Sequence, residues 1–293
     1  MEKNQALAIL VEEALHGELV FSASVATSLK VQEAIDVPNC SAESAAKIIL
    51  NEPLLAAKVV AVANSAAYSR PSGEVTNVKA AINRLGFNTL RALIASLVVK
   101  QIAGASKNLV IRSKVNQLWE HSAQVAALAQ VLAKRVSKLD PDTAMFAGIV
   151  HEVGAFYMLS RADEFPALLE QDDLGSSDTN TPASFNDTFI EKESQEAVIG
   201  RAVLANLNLP KEVNEAVEAL WFGLRAMPPE TLGDTLLLAN ELARTQSPLD
   251  TRTDTEGHRC ASEIDFVVAE GTLVSVLEES EDEVRTLSAA LII

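Results

Sequence analysis

The sequence predicts an all-α protein built from two packed helical subdomains, and three observations carry that prediction. Alanine and leucine are abundant, whereas Gly and Pro number only 12 and 10 among 293 residues and aromatic residues make up 4%. That composition favours helices over a sandwich or barrel. Apolar residues recur along most of the chain at i, i+3 and i+4, the period of a helix with one buried face. Period-two alternation, the mark of a half-buried strand, is nearly absent. With 48% hydrophobic residues, a chain of this length has enough apolar surface for a full core.

In chain order, residues 1–35 read as one or two helices with a breaker at His16-Gly17. Val37 to Ser41 is a turn, and Ser41 caps a helix Ala42–Leu50. Pro53 opens the next helix from its first position, with Leu55, Val59 and Val62 on one side. That helix ends at Asn64-Ser65, two side chains expected to satisfy backbone groups there. Thr76 or Asn77 caps a helix Val78–Leu85, Gly86 closes it as a C′ residue, and Asn88 caps a further helix Thr89–Ile102. Gly104 to Asn108 breaks the pattern, which places a subdomain boundary between residues 1–105 and 106–293.

In the second half, residues 110–137 form a long helix with Leu118, His121, Val125, Leu128 and Leu132 on one stripe. Asp140 and Pro141 start the next helix, expected to run unbroken through Ser160. Its small residues Ala144, Ala147, Gly148 and Ala155 share a face with His151, so a neighbouring helix is expected to approach closely there. Residues 172–188, rich in Ser, Thr, Asp and Asn, read as a loop. A helix Glu193–Leu207, another from Pro210 and a third over Thr231–Ala243 follow. Residues 246–260 are a polar loop, and the acidic run Glu278–Glu283 leads into an apolar ending, Leu287–Ile293. That ending is expected to pack on the body as a final helix, with docking on a partner as the alternative.

Charge narrows the function classes. A formal net charge of −16 and a pI near 4.7 disfavour nucleic acid and an anionic membrane surface, both of which need clustered Lys and Arg. Cys40 and Cys260 form no CxxC pair, so neither a disulfide framework nor a zinc knuckle is suggested. The N-terminal residues Met1-Glu-Lys-Asn-Gln lack the basic and apolar regions of a signal peptide. No apolar run approaches the roughly 20 residues of a membrane span. A cytoplasmic location is the expectation. Gly-rich phosphate loops and GxSxG elbows are absent.

Only four imidazoles are available. His16 reads as a helix C-terminal residue and His258 as a solvated loop residue. His121 and His151 fall on packed faces of neighbouring helices, and Glu152 follows His151 directly. A lone histidine in such a place is usually a hydrogen-bonded core residue. Two of them beside a carboxylate also suit a divalent metal.

Several segments, in order, resemble the HDOD family, the HD-related output domain of bacterial signalling proteins. They are Asn51-Glu-Pro-Leu-Leu-Ala-Ala-Lys-Val-Val-Ala-Val-Ala-Asn-Ser-Ala-Ala-Tyr68, Val75-Thr-Asn-Val-Lys-Ala-Ala-Ile-Asn-Arg-Leu-Gly86, Leu118-Trp-Glu-His-Ser122 and Ala147-Gly-Ile-Val-His-Glu-Val-Gly154. Leu209-Pro210 and Leu237-Leu-Ala-Asn-Glu-Leu-Ala243 extend the match to roughly residues 20–245. The resemblance implies an HD-domain-like helical bundle with an N-terminal helical subdomain. HD-type phosphohydrolases bind metal through a His, a His-Asp pair and a late Asp. The matching positions here are His121, His151, Glu152 and Asn240. Where many relatives place a further His, this chain has Glu196, and where some have His-His it has Leu220-Trp221.

These departures remove charge and ligands from a two-metal site. The resemblance therefore implies a non-catalytic signalling module that works by binding a signalling protein, with no catalytic residue and no metal expected. His121, His151, Glu152, Asn240 and Glu196 then form a polar network in the former active-site region. Two alternatives stay open. One is a divalent-metal phosphohydrolase acting on a nucleotide or phosphoester, held by His121, His151 and Glu152. The other is a regulatory domain that binds a small ligand in the remnant pocket. The chain carries no receiver, cyclase or phosphodiesterase region, so input and output are expected from a partner. Self-association is left open.

Overall fold

A computed structural model describes residues 2–21, 23–68, 73–104, 106–170, 195–207, 209–222, 226–249, 265–268 and 271–292. The expected loop at 172–188, the start of the helix at Glu193, and His258 with most of its loop lie outside the described residues. The architecture is all-helical. Its first half contains α1 (Lys3–His16), α2 (Ala23–Ile35), α3 (Ala42–Ile49), α4 (Pro53–Ala63) and α5 (Val78–Ile102). The second half contains α6 (Leu109–Leu132), α7 (Pro141–Val150), α8 (Val153–Ser160), α9 (Gln195–Asn206), α10 (Lys211–Phe222), α11 (Leu232–Leu242), α12 (Leu273–Glu279) and α13 (Glu281–Ile292). A two-residue antiparallel pairing of Val267-Val268 with Gly271-Thr272 precedes α12.

Local signals account for most boundaries. Gly17 closes α1 in the left-handed conformation at φ 71°, which a residue without Cβ adopts freely. The Ser41 side chain accepts from Ser44 N and caps α3, and the Asn77 side chain accepts from Ala80 N and caps α5. Gly86, at φ 80° and ψ 172°, breaks the helical path inside α5. Asn88 does not cap the second segment; its Oδ1 faces Arg91 Nη1 at 3.4 Å. At the end of α4, Asn64 pairs both ways with the Val75 backbone, each bond 2.8 Å, and Ser65 Oγ donates to Val62 O at 2.8 Å. These two side chains close a helix end. The long helix expected over 110–137 is α6 followed by a π turn, Ala133–Ser137.

One expectation fails at an informative place. The helix started by Asp140 and Pro141 does not run through to Ser160; it breaks at His151-Glu152 into α7 and α8. His151 Nδ1 lies 2.8 Å from the Gly148 carbonyl, close to where that carbonyl would meet the Glu152 N–H in a continuous helix. The side chain takes over part of that backbone bonding, and Glu152 turns out of the helical path at φ −98°, ψ 20°. The helix resumes with Phe156 N donating to Glu152 O.

Both halves share one core. A continuous apolar cluster runs from Ala6 and Leu10 through α5 and α6 to Leu287 and Leu291. Sequence position does not separate the halves cleanly, since α1 packs on α9 and on the 3₁₀ turn Pro166–Leu169. Tyr68 bridges them too, donating to Asp142 Oδ1 at 2.5 Å and accepting from Gln130 Nε2 at 2.7 Å. The apolar ending packs on the body as α13, against α6 and α4. Trp119 Nε1 donates to Leu291 O at 3.2 Å. Arg135 bonds Glu279 and Glu283 at 3.1 and 3.2 Å, neutralising part of the acidic run. The one helix long and apolar enough to cross a membrane among the described residues, α5, has 67% of that stretch buried in the core.

The tightest approach is between α6 and α7. A Cβ built on Gly148 would lie 2.5 Å from Ala126 Cα, so only glycine permits this spacing. Gly148→Ala is expected to lower stability by about 1–3 kcal/mol, read as a lower urea midpoint at unchanged m-value. A second expectation concerns Lys58, which is 5% exposed, with Nζ 4.8 Å from the centre of the Trp119 ring. Burial, reinforced by the charge of Lys100, lowers its pKa to about 7. The folded state therefore binds this proton less well than the unfolded chain between pH 7 and 10.5, and the cost to stability is complete below pH 7. Lys58→Met is expected to raise the melting temperature at pH 6.5 and to lose most of that gain by pH 10.

Candidate functional site

Five helices and one break deliver the site. α6 presents His121 inward, 3% exposed, and the end of α7 presents His151, 6% exposed. The α7–α8 break carries Glu152, α9 carries Glu196, α10 carries Leu220 and Trp221, and α11 carries Asn240. Thr231, in a reciprocal capping pair with Asp234, fixes the start of α11. Glycines at 154 and 200 let α8 and α9 meet closely, since a Cβ on Gly154 would lie 2.9 Å from Gly200 Cα.

His121 Nε2 and His151 Nε2 lie 3.2 Å apart. Each ring presents its other nitrogen to a backbone carbonyl: His121 Nδ1 to Thr245 O at 2.7 Å and His151 Nδ1 to Gly148 O at 2.8 Å. A carbonyl only accepts, so both Nδ1 atoms carry hydrogen, and a neutral ring then has its lone pair at Nε2. Two lone pairs face each other across 3.2 Å. Burial first, then the neighbouring His121, depresses the His151 pKa to about 3 against the opposing pull of the Gly148 carbonyl and the Asn240 amide. Neutral His151 is therefore the form present across the physiological range.

Glu152 Oε1 completes the triangle, 3.8 Å from His121 Nε2 and 3.9 Å from His151 Nε2. A point equidistant from the three atoms is about 2.1 Å from each, the usual bond length from zinc to imidazole nitrogen or carboxylate oxygen. Asn240 Oδ1 is buried without a hydrogen bond of normal geometry and borders the same cavity as His151 and Glu152. A buried amide oxygen with no well-formed hydrogen bond, beside two imidazole lone pairs and a carboxylate, makes a donor set suited to a cation. The residues present fit a single divalent transition metal. Breaking the helix at His151-Glu152 lets the longer Glu side chain reach back between the imidazoles, so the extra methylene relative to Asp is accommodated.

The cavity beside the triangle holds about 150 Å³ and is also lined by Glu196, Leu220 and Trp221. The structure thus brings His121, His151 and Glu152 to one point, Asn240 to the adjoining cavity wall, and Glu196 to the cavity rim, where its side chain is exposed. The Trp221 indole closes over Gly200, where a Cβ would lie 2.7 Å from Cζ2. Sequence reasoning missed Thr245 and Gln124. Gln124 Nε2 donates to Thr245 Oγ1 at 2.9 Å and its Oε1 accepts from Thr245 N at 3.0 Å. The only sequence signal for it was a polar amide one turn beyond His121 in a mostly apolar stretch of α6.

The sequence model of the HDOD domain matches residues 23–221, well over half the chain. The chain belongs to the HDOD family. Its fold is shared with a candidate metal-dependent phosphohydrolase from Shewanella amazonensis SB2B, at 23% identity, 99% coverage of both chains and a TM-score of 0.71. An HDOD domain protein from Geobacter sulfurreducens aligns at 18% identity over 98% of both chains, with a TM-score of 0.59. A candidate signal transduction protein from Marinobacter aquaeolei VT8 aligns at 16% identity over 99% of this chain and 65% of its own, with a TM-score of 0.55. At these identities the likeness shows the fold. No curated protein matches the chain.

Asn240 would be the weakest donor of the set, because an amide oxygen coordinates a transition metal less well than an imidazole nitrogen or a carboxylate. Asn240→Asp is expected to tighten Co²⁺ binding by roughly tenfold, the scale on which changes around a metal centre act, measured by titration of the cobalt absorption bands.

Proposed function

We propose that this HDOD protein is a non-catalytic signalling module of the bacterial cytoplasm that binds a partner signalling protein and retains a single-metal centre in place of an active site. The observation that carries the reading is the charge of the cavity. Among the described residues its lining includes the carboxylates Glu152 and Glu196 and no Lys or Arg. Phosphoryl transfer spreads negative charge over the phosphate oxygens, and catalysts meet it with Arg, Lys or metal clamps. Here two carboxylates and an indole face the space where that charge would develop.

His121 and His151 would hold the cation through Nε2, Glu152 would offset one of its charges, and Asn240 would offer a neutral oxygen. A bound divalent cation would supply Lewis acidity at that corner of the cavity. The protein's own groups do little to exploit it. Leu220 and Trp221 stand where some relatives carry paired imidazoles, so among the described residues the rim carboxylate of Glu196 is all that the lining adds towards a second metal. Glu196 sits exposed at the rim, where solvent weakens its use as a positioned base. Among the described residues the cavity of about 150 Å³ is smaller than the roughly 300 Å³ at which pockets for drug-sized ligands begin.

The second reading, a metal-dependent phosphohydrolase, has the donor triangle on its side. The two are separated by loading the protein with Mn²⁺, Fe²⁺ or Co²⁺ and offering nucleotides, cyclic dinucleotides and aryl phosphate esters. Turnover no higher than that of His151→Ala is the expected result, together with bound metal in the native protein and its loss in the variant. Hydrolysis abolished by His151→Ala would overturn the non-catalytic reading.

A further inference from the structure

The two imidazoles of the centre are oriented by different means. His151 is held by its own helix, since the Gly148 carbonyl that takes its Nδ1–H lies three residues back in α7. His121 is held by a carbonyl of Thr245, beyond the end of α11 in a segment with no helical bonding of its own to place it. Something outside that segment has to fix this peptide, because the direction of its C=O decides which nitrogen of His121 carries hydrogen.

We propose that Gln124 is the positioning residue of the centre, clamping Thr245 so that its carbonyl locks His121 with the Nε2 lone pair turned towards His151. The clamp is bidentate. The Gln124 amide donates to Thr245 Oγ1 at 2.9 Å and accepts from Thr245 N at 3.0 Å, so both the position and the rotation of that residue are set. Gln124 is half-buried and lies one turn beyond His121 on the same side of α6. Two further α6 side chains, Gln117 and Lys114, bond the carbonyls of Gln246 and Pro248 at 3.1 and 3.2 Å. Those contacts hold the segment down without touching Thr245.

Loss of the clamp has a defined consequence. With the Thr245 carbonyl free to turn away, His121 can move its hydrogen to Nε2. The resulting N–H would point at the His151 lone pair 3.2 Å away, giving a direct imidazole–imidazole hydrogen bond that fills the position a cation needs. Gln124 thereby selects between an open donor pair and a closed one.

This inference rests on the metal-binding part of the proposed function, and the test has one arm that does not. The variants are Gln124→Leu, which keeps the bulk and removes both bonds, and Gln117→Ala, which removes a neighbouring anchor of the same segment. In metal-free protein, long-range ¹⁵N–¹H correlation spectra report the tautomer of His121. Wild type and Gln117→Ala are expected to show Nδ1–H, and Gln124→Leu a shift towards Nε2–H. Co²⁺ titration is expected to show binding 10–100-fold weaker in Gln124→Leu, the typical range for partners that orient metal ligands, and unchanged in Gln117→Ala. An unaltered tautomer in Gln124→Leu would overturn the proposal, as would an equal loss of affinity in Gln117→Ala. If wild-type protein takes up no cobalt, the metal centre falls and the tautomer spectra alone decide this inference. Should Gln124→Leu fail to fold by circular dichroism, Thr245→Val removes one of the two bonds, and a smaller shift in the same direction is expected.

Discussion

The close contact of α6 with α7 is the constraint on which the rest of the structure depends. Gly148 against Ala126 brings the two backbones nearer than any side chain would allow, and the alanines around it, Ala123, Ala127, Ala144 and Ala147, are fully or almost fully buried. An inward side chain on each helix then has nowhere to go but towards the other. His121 and His151 meet for that reason, with ring centres 5.2 Å apart. A wider helix spacing would leave two separate core histidines, each bonded to its own carbonyl, and no common centre.

Electrostatics decides what such a centre can do. Two neutral imidazoles and one carboxylate carry a single formal negative charge, which leaves a divalent cation only partly balanced. Asn240 adds an oxygen without adding charge. A site of that kind would bind a borderline transition metal better than Mg²⁺, which favours oxygen ligands and keeps its waters. Beyond the triangle, the cavity offers acidic and apolar surface, so an anionic substrate would meet repulsion from Glu152 and Glu196 there.

Much of this was legible in the sequence, and the reasons differ by residue. Caps and breakers such as Ser41, Asn77, Asp140 and Gly17 act through their own local geometry, so the helix ends they set could be read directly. The small-residue face of α7 announced the close packing. His121 and His151 could be placed on packed faces by periodicity, and family resemblance aligned Glu152, Asn240 and Glu196 with a known arrangement. What escaped depended on distance in space. The break after α7 comes from His151 competing for the Gly148 carbonyl, a side-chain bond that helix propensity does not encode. Thr245 lies 124 residues from His121, in a polar stretch with no pattern. The reach of Glu152 between the rings follows from that break and could not be foreseen without it.

Those long-range ties also bear on how a partner of the kind proposed would engage the protein. The family match ends at residue 221 and begins at 23, yet α1 and α13 on either side of it contribute to the same core. α1 closes the face of α9, aided by Glu13, whose carboxylate bonds Arg161 at 2.5 Å. α13 closes the seam between α4 and α6, tied at one end by Arg135 to Glu283 and at the other by Trp119. Two faces that the matched helices alone would leave apolar are therefore already occupied by the chain itself. A protein partner of the kind proposed would meet the remaining surface, or would have to displace a helix held by both buried leucines and charged anchors. The second route is the costlier one, because removing α13 would expose Leu287 and Leu291, each at most 1% accessible, together with the groove they fill.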